Sequence, residues 1–251
     1  MTLILSLFPG IDLLGRAFEE VWPEACLVRG PDLLWGGNIK GFNPPAGAFN
    51  GIIAGVPCQR WSPLVHMVRA THGEDAVAED MFPEFERVVG LAQPDWFLTD
   101  CSPFAPIPNV SGYAVSSCIM DNRWIGDGIG QAQRRRRRFC FGTRSGGMSL
   151  DVSGDVAVFE SGDTERAVIA SSHKEAAALP QGSRTERQTL PGSMPRRSVG
   201  YCCELQGLPP DFLDHAPFTS AGKYTVIGNG VAMPTGRAIA RAVKKVVGEM
   251  G

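Results

Sequence analysis

A chain of 251 residues is long enough for one large domain with a sizeable core and a small insertion. Its net charge of −2 excludes nucleic-acid binding by bulk electrostatics, so any such contact must rest on local patches such as Arg134 to Arg138, or Arg184, Arg187, Arg196 and Arg197. Seven cysteines without a Cys-x-x-Cys pair, beside only four histidines, argue against a disulfide framework and a structural zinc site, and no apolar run suits a membrane span.

Leu3 to Leu7 is a continuous apolar strand running straight into Pro9-Gly10; with no basic leader it reads as a first strand rather than a signal peptide, and a cytoplasmic protein is expected. Leu13 to Glu20 reads as a helix with Leu13, Leu14, Ala17 and Phe18 on one face. Short strands follow at Cys26 to Val28 and Gly51 to Ala54. Helical spacing returns at Phe82, Phe85, Val88, Val89 and Ala92, and Asp95 to Leu98 is a further strand. Strands alternating with helices imply an α/β fold, a mainly parallel sheet with helices on both faces.

From about residue 143 to 192 glycine, serine, aspartate and threonine crowd out apolar residues, as in a small loop-rich insert, with strand-like pieces at Val156 to Phe159 and Ala167 to Ile169. The chain therefore divides into a main domain of 1–142 and 193–251 and an insert of 143–192. In the closing segment Gly207 to Phe212 is a turn and Tyr224 to Gly230 a strand and loop. Thr235 to Val247 is a helix with Ile239, Val243, Val246 and Val247 on one stripe, packing back beside the first strand.

Five segments carry chemistry. Gly55-Val56-Pro57-Cys58-Gln59 sets a thiol at the end of a buried strand, where ligands gather in open α/β sheets. Phe8-Pro9-Gly10-Ile11-Asp12 is a strand-to-helix turn whose glycine permits close approach to a ligand. In Gln133 to Phe141 strand alternation puts Gln133, Arg135 and Arg137 on one face and Arg134, Arg136 and Arg138 on the other. The apolar Phe139-Cys140-Phe141 anchors those arginines, and fixed guanidinium groups suit anions and phosphate. Glu204 to Phe212 and Ile227 to Pro234 complete the set.

In this order the five segments resemble the cytosine-5 DNA methyltransferase family, of a compact phage or prophage type, over nearly the whole chain outside the insert. The resemblance implies a Rossmann-like, S-adenosylmethionine-dependent fold, with the insert as a reduced target-recognition region reading a short or relaxed site. It implies that Cys58 adds to carbon 6 of a flipped cytosine, that Arg135 holds the base, that Arg137 holds the region around the cysteine and that Gln133 ties the strand to the catalytic loop. Phe8, Gly10, Ile11, Asp12, Asp32, Asn38, Ile39, Pro57, Met81, Asn229, Gly230 and Val231 would line the cofactor pocket. Arg60 to Asp80 would be a lid of little regular pattern over the everted base, with Arg60, His66, Arg69 and His72 for phosphate contact. The partner expected is double-stranded DNA, with no metal and no membrane, and a monomer is the expected state.

The chain departs from the family pattern after the Trp96-Phe97-Leu98 strand. Thr99-Asp100-Cys101 stands where Glu-Asn-Val is usual, which puts threonine at the aligned glutamate position and leaves Asp100 needing a bulge or shifted turn to take over. Either Asp100 substitutes, or the enzyme acts on another pyrimidine or moves a larger group such as carboxymethyl from a modified cofactor, or the chain mainly binds DNA. An RNA substrate is a further alternative. Asn38 stands for the usual aspartate at the adenine amino group, and Asp12 replaces a glycine in a place where it suits a helix N-cap.

Overall fold

The computed structural model describes residues 1–62, 65–125, 133–156, 165–168 and 197–250. Its centre is a six-stranded sheet of order β2-β1-β3-β4-β7-β5, built from β1 (Leu3–Leu7), β2 (Cys26–Arg29), β3 (Gly51–Ala54), β4 (Trp96–Cys101), β5 (Ala114–Asp121) and β7 (Arg136–Thr143). A separate parallel pair joins β6 (Gln133–Arg134) to β8 (Glu165–Arg166). Strands β2, β1, β3 and β4 run parallel; β7 is antiparallel to both β4 and β5.

Helices cover both faces, as the alternation of strand and helix patterns implies. On one side α1 (Leu13–Val21), α4 (Val199–Leu205), α5 (Ser220–Asn229) and α6 (Met233–Met250) share a core with Ile4, Ile53, Trp96, Leu98, Phe139 and Phe141. On the other, α3 (Phe82–Ala92) lays its stripe of Phe82, Phe85, Val88, Val89 and Ala92 against Leu5, Leu7, Ile52 and Phe97. Helix α6 reaches the sheet through α1: a Cβ on Gly236 would lie 2.8 Å from that of Ala17.

Several elements differ from the sequence expectation. Tyr224 to Asn229 belongs to α5 rather than to a strand. Thr219 caps that helix by accepting a bond from the Gly222 amide, and burial of Tyr224 and Ile227 outweighs the strand preference of Thr225, Val226 and Ile227. The edge strand β5 escapes the pattern because it is half exposed and carries Ser116 and Ser117. Residues 65–72 of the expected lid form α2 (Val65–His72), with no buried side chain. Around 167 the strand falls at Glu165–Arg166, and Ala167-Val168 follows it as irregular backbone. Val156 makes a single bridge to Ile125. Residues 157–159 and Ile169 lie outside the described residues, as do Arg184, Arg187 and Arg196; Arg197 is buried, not part of a surface patch.

Gly51 and Gly90 give opposite expectations. A Cβ on Gly51 would sit 2.1 Å from the fully buried Trp96 indole, which packs between Phe18 and Phe141. Gly51→Ala is therefore expected to destabilise by about 1–3 kcal/mol. Gly90, exposed within α3, has open space at its Cβ, and Gly90→Ala should stabilise by about 0.5–1 kcal/mol. Urea unfolding of the two variants separates these outcomes.

Candidate active site

Parallel pairing brings the carboxyl ends of three strands to one edge of the sheet: Leu7 lies beside Ala54, and Ala54 beside Thr99. Because β7 runs the other way, its start reaches the same edge, with Arg138 beside Cys101. The segments after β1, β3 and β4 and the arginines before and within β7 thus share one rim, where open α/β sheets place their ligands.

The turn after β1 is held in an unusual conformation. Phe8, Gly10 and Asp12 have φ of 51°, 56° and 56°. That region suits glycine and costs other residues about 1–2 kcal/mol. Asp12 meets the cost as the N-cap of α1, the role its position suggests. One carboxylate oxygen accepts bonds from Ser6 Oγ (2.9 Å) and the Gly15 amide (3.1 Å); the other pairs with Arg29 Nε at 2.7 Å. A Cβ on Gly15 would fall 2.3 Å from that carboxylate, so the glycine admits the cap. Burial pushes the Asp12 carboxyl up, against the downward pull of Ser6, Arg29 and Gly15. Its oxygens are thus engaged within the protein.

Asp32 lies at the end of β2 and faces this turn. The Gly10 amide donates to it at 2.9 Å and the Leu34 amide at 2.7 Å. Trp35 Nε1 donates to the Gly10 carbonyl at 2.7 Å, so both polar groups of Gly10 are clamped. The Trp35 indole is nevertheless 58% exposed, with the Phe218 ring 5.9 Å away. The sequence reading missed Trp35; an aromatic three residues beyond a strand-end aspartate was the available signal. A Cβ on Gly10 would meet nothing within 4 Å, which leaves open space against the turn. Asn38 caps a short 3₁₀ turn by accepting from Lys40 N at 3.0 Å. Ile39 and Val231 are core side chains; Phe8, Ile11, Pro57, Met81 and Gly230 are half-buried, and Asn229 is exposed. A Cβ on Gly230 would lie 2.6 Å from Leu13, which sets the loop after α5 against the start of α1.

Cys58 stands at the N-cap position of the 3₁₀ turn Gln59–Trp61 after β3, its thiol making no capping bond, and is half-buried. Asp100 lies at the same rim, and here the structure corrects the register read from the sequence. Strand β4 pairs with β7 without interruption from Trp96 to Cys101, so no bulge is present. Asp100 follows Trp96 and Leu98 onto the face of Arg137, Phe139 and Phe141; Thr99 follows Phe97 onto the other. The carboxylate therefore needs no rearrangement to face the arginines: Arg137 Nε lies 3.6 Å from its Oδ1. Burial raises the Asp100 pKa, and Arg137 and then Arg135 pull it back.

Arg135, 4% exposed, donates to the carbonyls of Val168 (2.6 Å), Gly228 (2.8 Å) and Gly230 (2.6 Å). Burial and the nearby Arg137 pull its pKa down, and Asp100 and Cys58 pull it up. Its Nε, Arg137 Nε and Asp100 Oδ1 are buried without a hydrogen-bond partner. Gln133 does not reach the Cys58 turn. It donates to the Leu205 carbonyl at 2.6 Å and accepts from the Val168 amide at 2.8 Å. Gln206 beside it donates to the Ile227 carbonyl at 2.7 Å. These two amides lock the ends of α4 and α5 together beneath Arg135. Alternation holds for Arg134 and Arg136, which are exposed. In the segment after Cys58, Arg69 and Arg60 both turn to Glu74, while His66 and His72 are exposed.

No group of His, Cys, Asp and Glu among the described residues could hold a metal ion, and no helix among them is long and apolar enough to cross a membrane. The chain matches no protein-family model and no curated protein. Among solved structures it is similar to the Entamoeba histolytica methyltransferase EhMeth, at 10% identity and a TM-score of 0.59 over 98% of this chain and 99% of that one. It is similar at the same TM-score to the S. pombe Dnmt2 methyltransferase, at 12% identity over 98% and 99% of the two chains. A DNMT2 variant from Spodoptera frugiperda follows at 12% identity and 0.56, over 98% and 100%. The chain therefore has the Rossmann-like fold of these methyltransferases, the fold that its resemblance to the cytosine-5 family implied.

Proposed function

We propose that the protein transfers a methyl group from S-adenosylmethionine to carbon 5 of cytosine in DNA, through a covalent bond between Cys58 and an everted base. The observation that carries this reading is the convergence of Asp100, Arg135 and Arg137 on the rim that holds Cys58, with the buried Arg135 Nε left without a partner and Asp100 joined to Arg137 only by an ion pair at 3.6 Å. Unpaired buried polar groups are costly, which argues for a polar ligand that completes them. A pyrimidine ring with its carbonyl and ring nitrogen has the matching chemistry.

The residues around Gly10 suit an adenosyl cofactor. The turn is open at the Gly10 Cβ position, Asp32 offers oxygens for ribose hydroxyls and Trp35 exposes an indole face. By the resemblance, Asn38 would accept from the adenine amino group and Asn229 would line the same pocket. When bound, S-adenosylmethionine supplies an electrophilic methyl group on a sulfonium.

Cys58 as thiolate donates an electron pair to carbon 6, and the ring electrons move toward carbon 5 and nitrogen 3. Asp100, its pKa raised by burial, is suited to give a proton to nitrogen 3 as that charge develops. Arg137 orients the Asp100 carboxyl, and Arg135 Nε is available to the base carbonyl. Once carbon 5 carries the transferred methyl group, its proton passes to water, the nitrogen-3 proton returns to Asp100, and the Cys58–carbon 6 bond breaks with its electron pair on sulfur, which restores the ring. The base must first leave the duplex, at a cost of about a few kcal/mol. Residues 1–142 and 193–251 would form the catalytic unit and 143–192 the target-recognition region, in a monomer acting in the cytoplasm.

Mass spectrometry of nucleosides tests the reading. Duplex DNA and transfer RNA are each incubated with the protein and S-adenosylmethionine. The expected product is 5-methylcytosine in the duplex. Modification confined to RNA, or none in either substrate, contradicts it, and a larger group transferred shows directly in the mass.

A further inference from the structure

The segment joining β4 to β5, residues 102–113, plays no part in the chemistry above; it crosses from the rim, after Cys101, to the opposite end of the sheet, where Ala114 pairs with Thr143, and its first residues form a rigid platform at the rim. Pro103, Pro106 and Pro108 fix its backbone. Ala105, Pro108 and Val110 are buried, whereas Phe104 is 67% and Ile107 50% exposed. Arg138 Nη1 donates to the Ala105 carbonyl at 2.6 Å, and the Asn109 amide donates to Glu86 at 2.8 Å. Ser102 Oγ donates to the Trp61 carbonyl at 3.3 Å, and the Trp61 amide donates to the Cys58 carbonyl at 2.9 Å. The platform is therefore tied to the turn that carries the reactive thiol.

An exposed phenylalanine on a stiff, anchored loop is unfavourable in water and loses little freedom on binding. Arg136, exposed at the start of β7, shares its strand face with Arg138, whose guanidinium holds this loop. Exposed aromatic rings and cations are the groups that meet stacked bases and their phosphates. We propose that Phe104 is the wedge that enters the base stack of duplex DNA when the target cytosine leaves it. The inference rests on the reading of the protein as acting on an everted base. It gives Phe104 a role in holding the opened duplex, apart from the bond-making at Cys58. Apolar wedges of this kind unstack base steps in other DNA-binding proteins.

The test uses the full chain carrying Cys58→Ala, so that binding is read without chemistry. A duplex with 2-aminopurine in place of the target base fluoresces when that base unstacks. The chain with Phe104 is expected to raise this signal. Adding Phe104→Ala should reduce the rise and weaken duplex binding by about tenfold or more. Phe104→Trp should retain both, and affinity for the corresponding single strand should fall clearly less than duplex affinity does in the alanine variant, since no stack is opened there. Thermal unfolding confirms that the exposed substitutions leave the fold intact. Full unstacking by the alanine variant, or equal weakening on duplex and single strand, overturns the wedge alone. A parent chain that binds no duplex, or binds only single-stranded RNA, overturns the DNA reading and the wedge with it.

Discussion

Cys58→Ala is expected to give no covalent adduct with a duplex carrying 5-fluorocytosine and to lower turnover by about 10⁴-fold or more, as loss of a nucleophile does. Binding of DNA and of S-adenosylmethionine should persist. No other thiol is placed to replace it. Cys101, Cys140, Cys202 and Cys203 are buried; Cys118 is half-buried, and burial pushes Cys118 and Cys203 up to about 11. Cys26 is exposed but pairs with Leu3, at the opposite end of the sheet from the rim. Denaturing gel analysis of the trapped complex gives the answer: an adduct that survives the substitution removes Cys58 from the mechanism.

The second large effect is expected at Asp100. Asp100→Asn keeps the shape of the side chain but cannot supply a proton, so turnover should fall by about 10²–10⁴-fold. Thr99→Ala, one residue back on the other face of β4, should change turnover by less than about threefold. The pH dependence has a definite sign. The folded pKa of Asp100 is raised because burial outweighs the pull of Arg137 and Arg135, so its protonated form survives to higher pH than an ordinary carboxyl. Activity that needs this proton falls as pH rises through the folded pKa. The same shift gives stability that is complete below the ordinary carboxylate value of 3.8 and is lost as pH rises through the folded one. The asparagine variant should lack both limbs, with stability at neutral pH equal to or above that of the parent chain. Rate profiles and urea unfolding across pH measure them; an unchanged rate profile in the variant excludes Asp100 as the acid.

How much of this was legible follows from what each residue's signal depends on. The stripe of α3 and the apolar β3 are local patterns, and both formed as read. Helix α5 was not legible, because Thr225-Val226-Ile227 has strand character and only the Thr219 cap and the tertiary burial of Tyr224 and Ile227 reverse it. The face of Asp100 depends on where β4 is counted from. Asp95 to Leu98 was the expected strand, and extension to Cys101 against β7 decides which side chain meets Arg137. Gln133 makes its contacts with residues 35 and 72 positions away, beyond the reach of any local spacing. Trp35 was overlooked because its indole bond to Gly10 joins residues 25 positions apart, across α1 and β2.

The reversed course of β7 makes the side that Gln133 faces hostage to a single reading frame of side-chain alternation, counted back from Phe139. Phe139 and Phe141 are clamped between β4 and β5 and cannot shift along the sheet. Positions 134 to 138 are all arginine, so deleting one of them leaves an arginine at both inward positions, and the side chain sent to the opposite side is Gln133. Loss of two of them would return Gln133 to its side one pleat closer, where Arg135 stands. The same hydrophobic anchor that makes the strand secure thus makes its preceding length an unforgiving ruler for that amide.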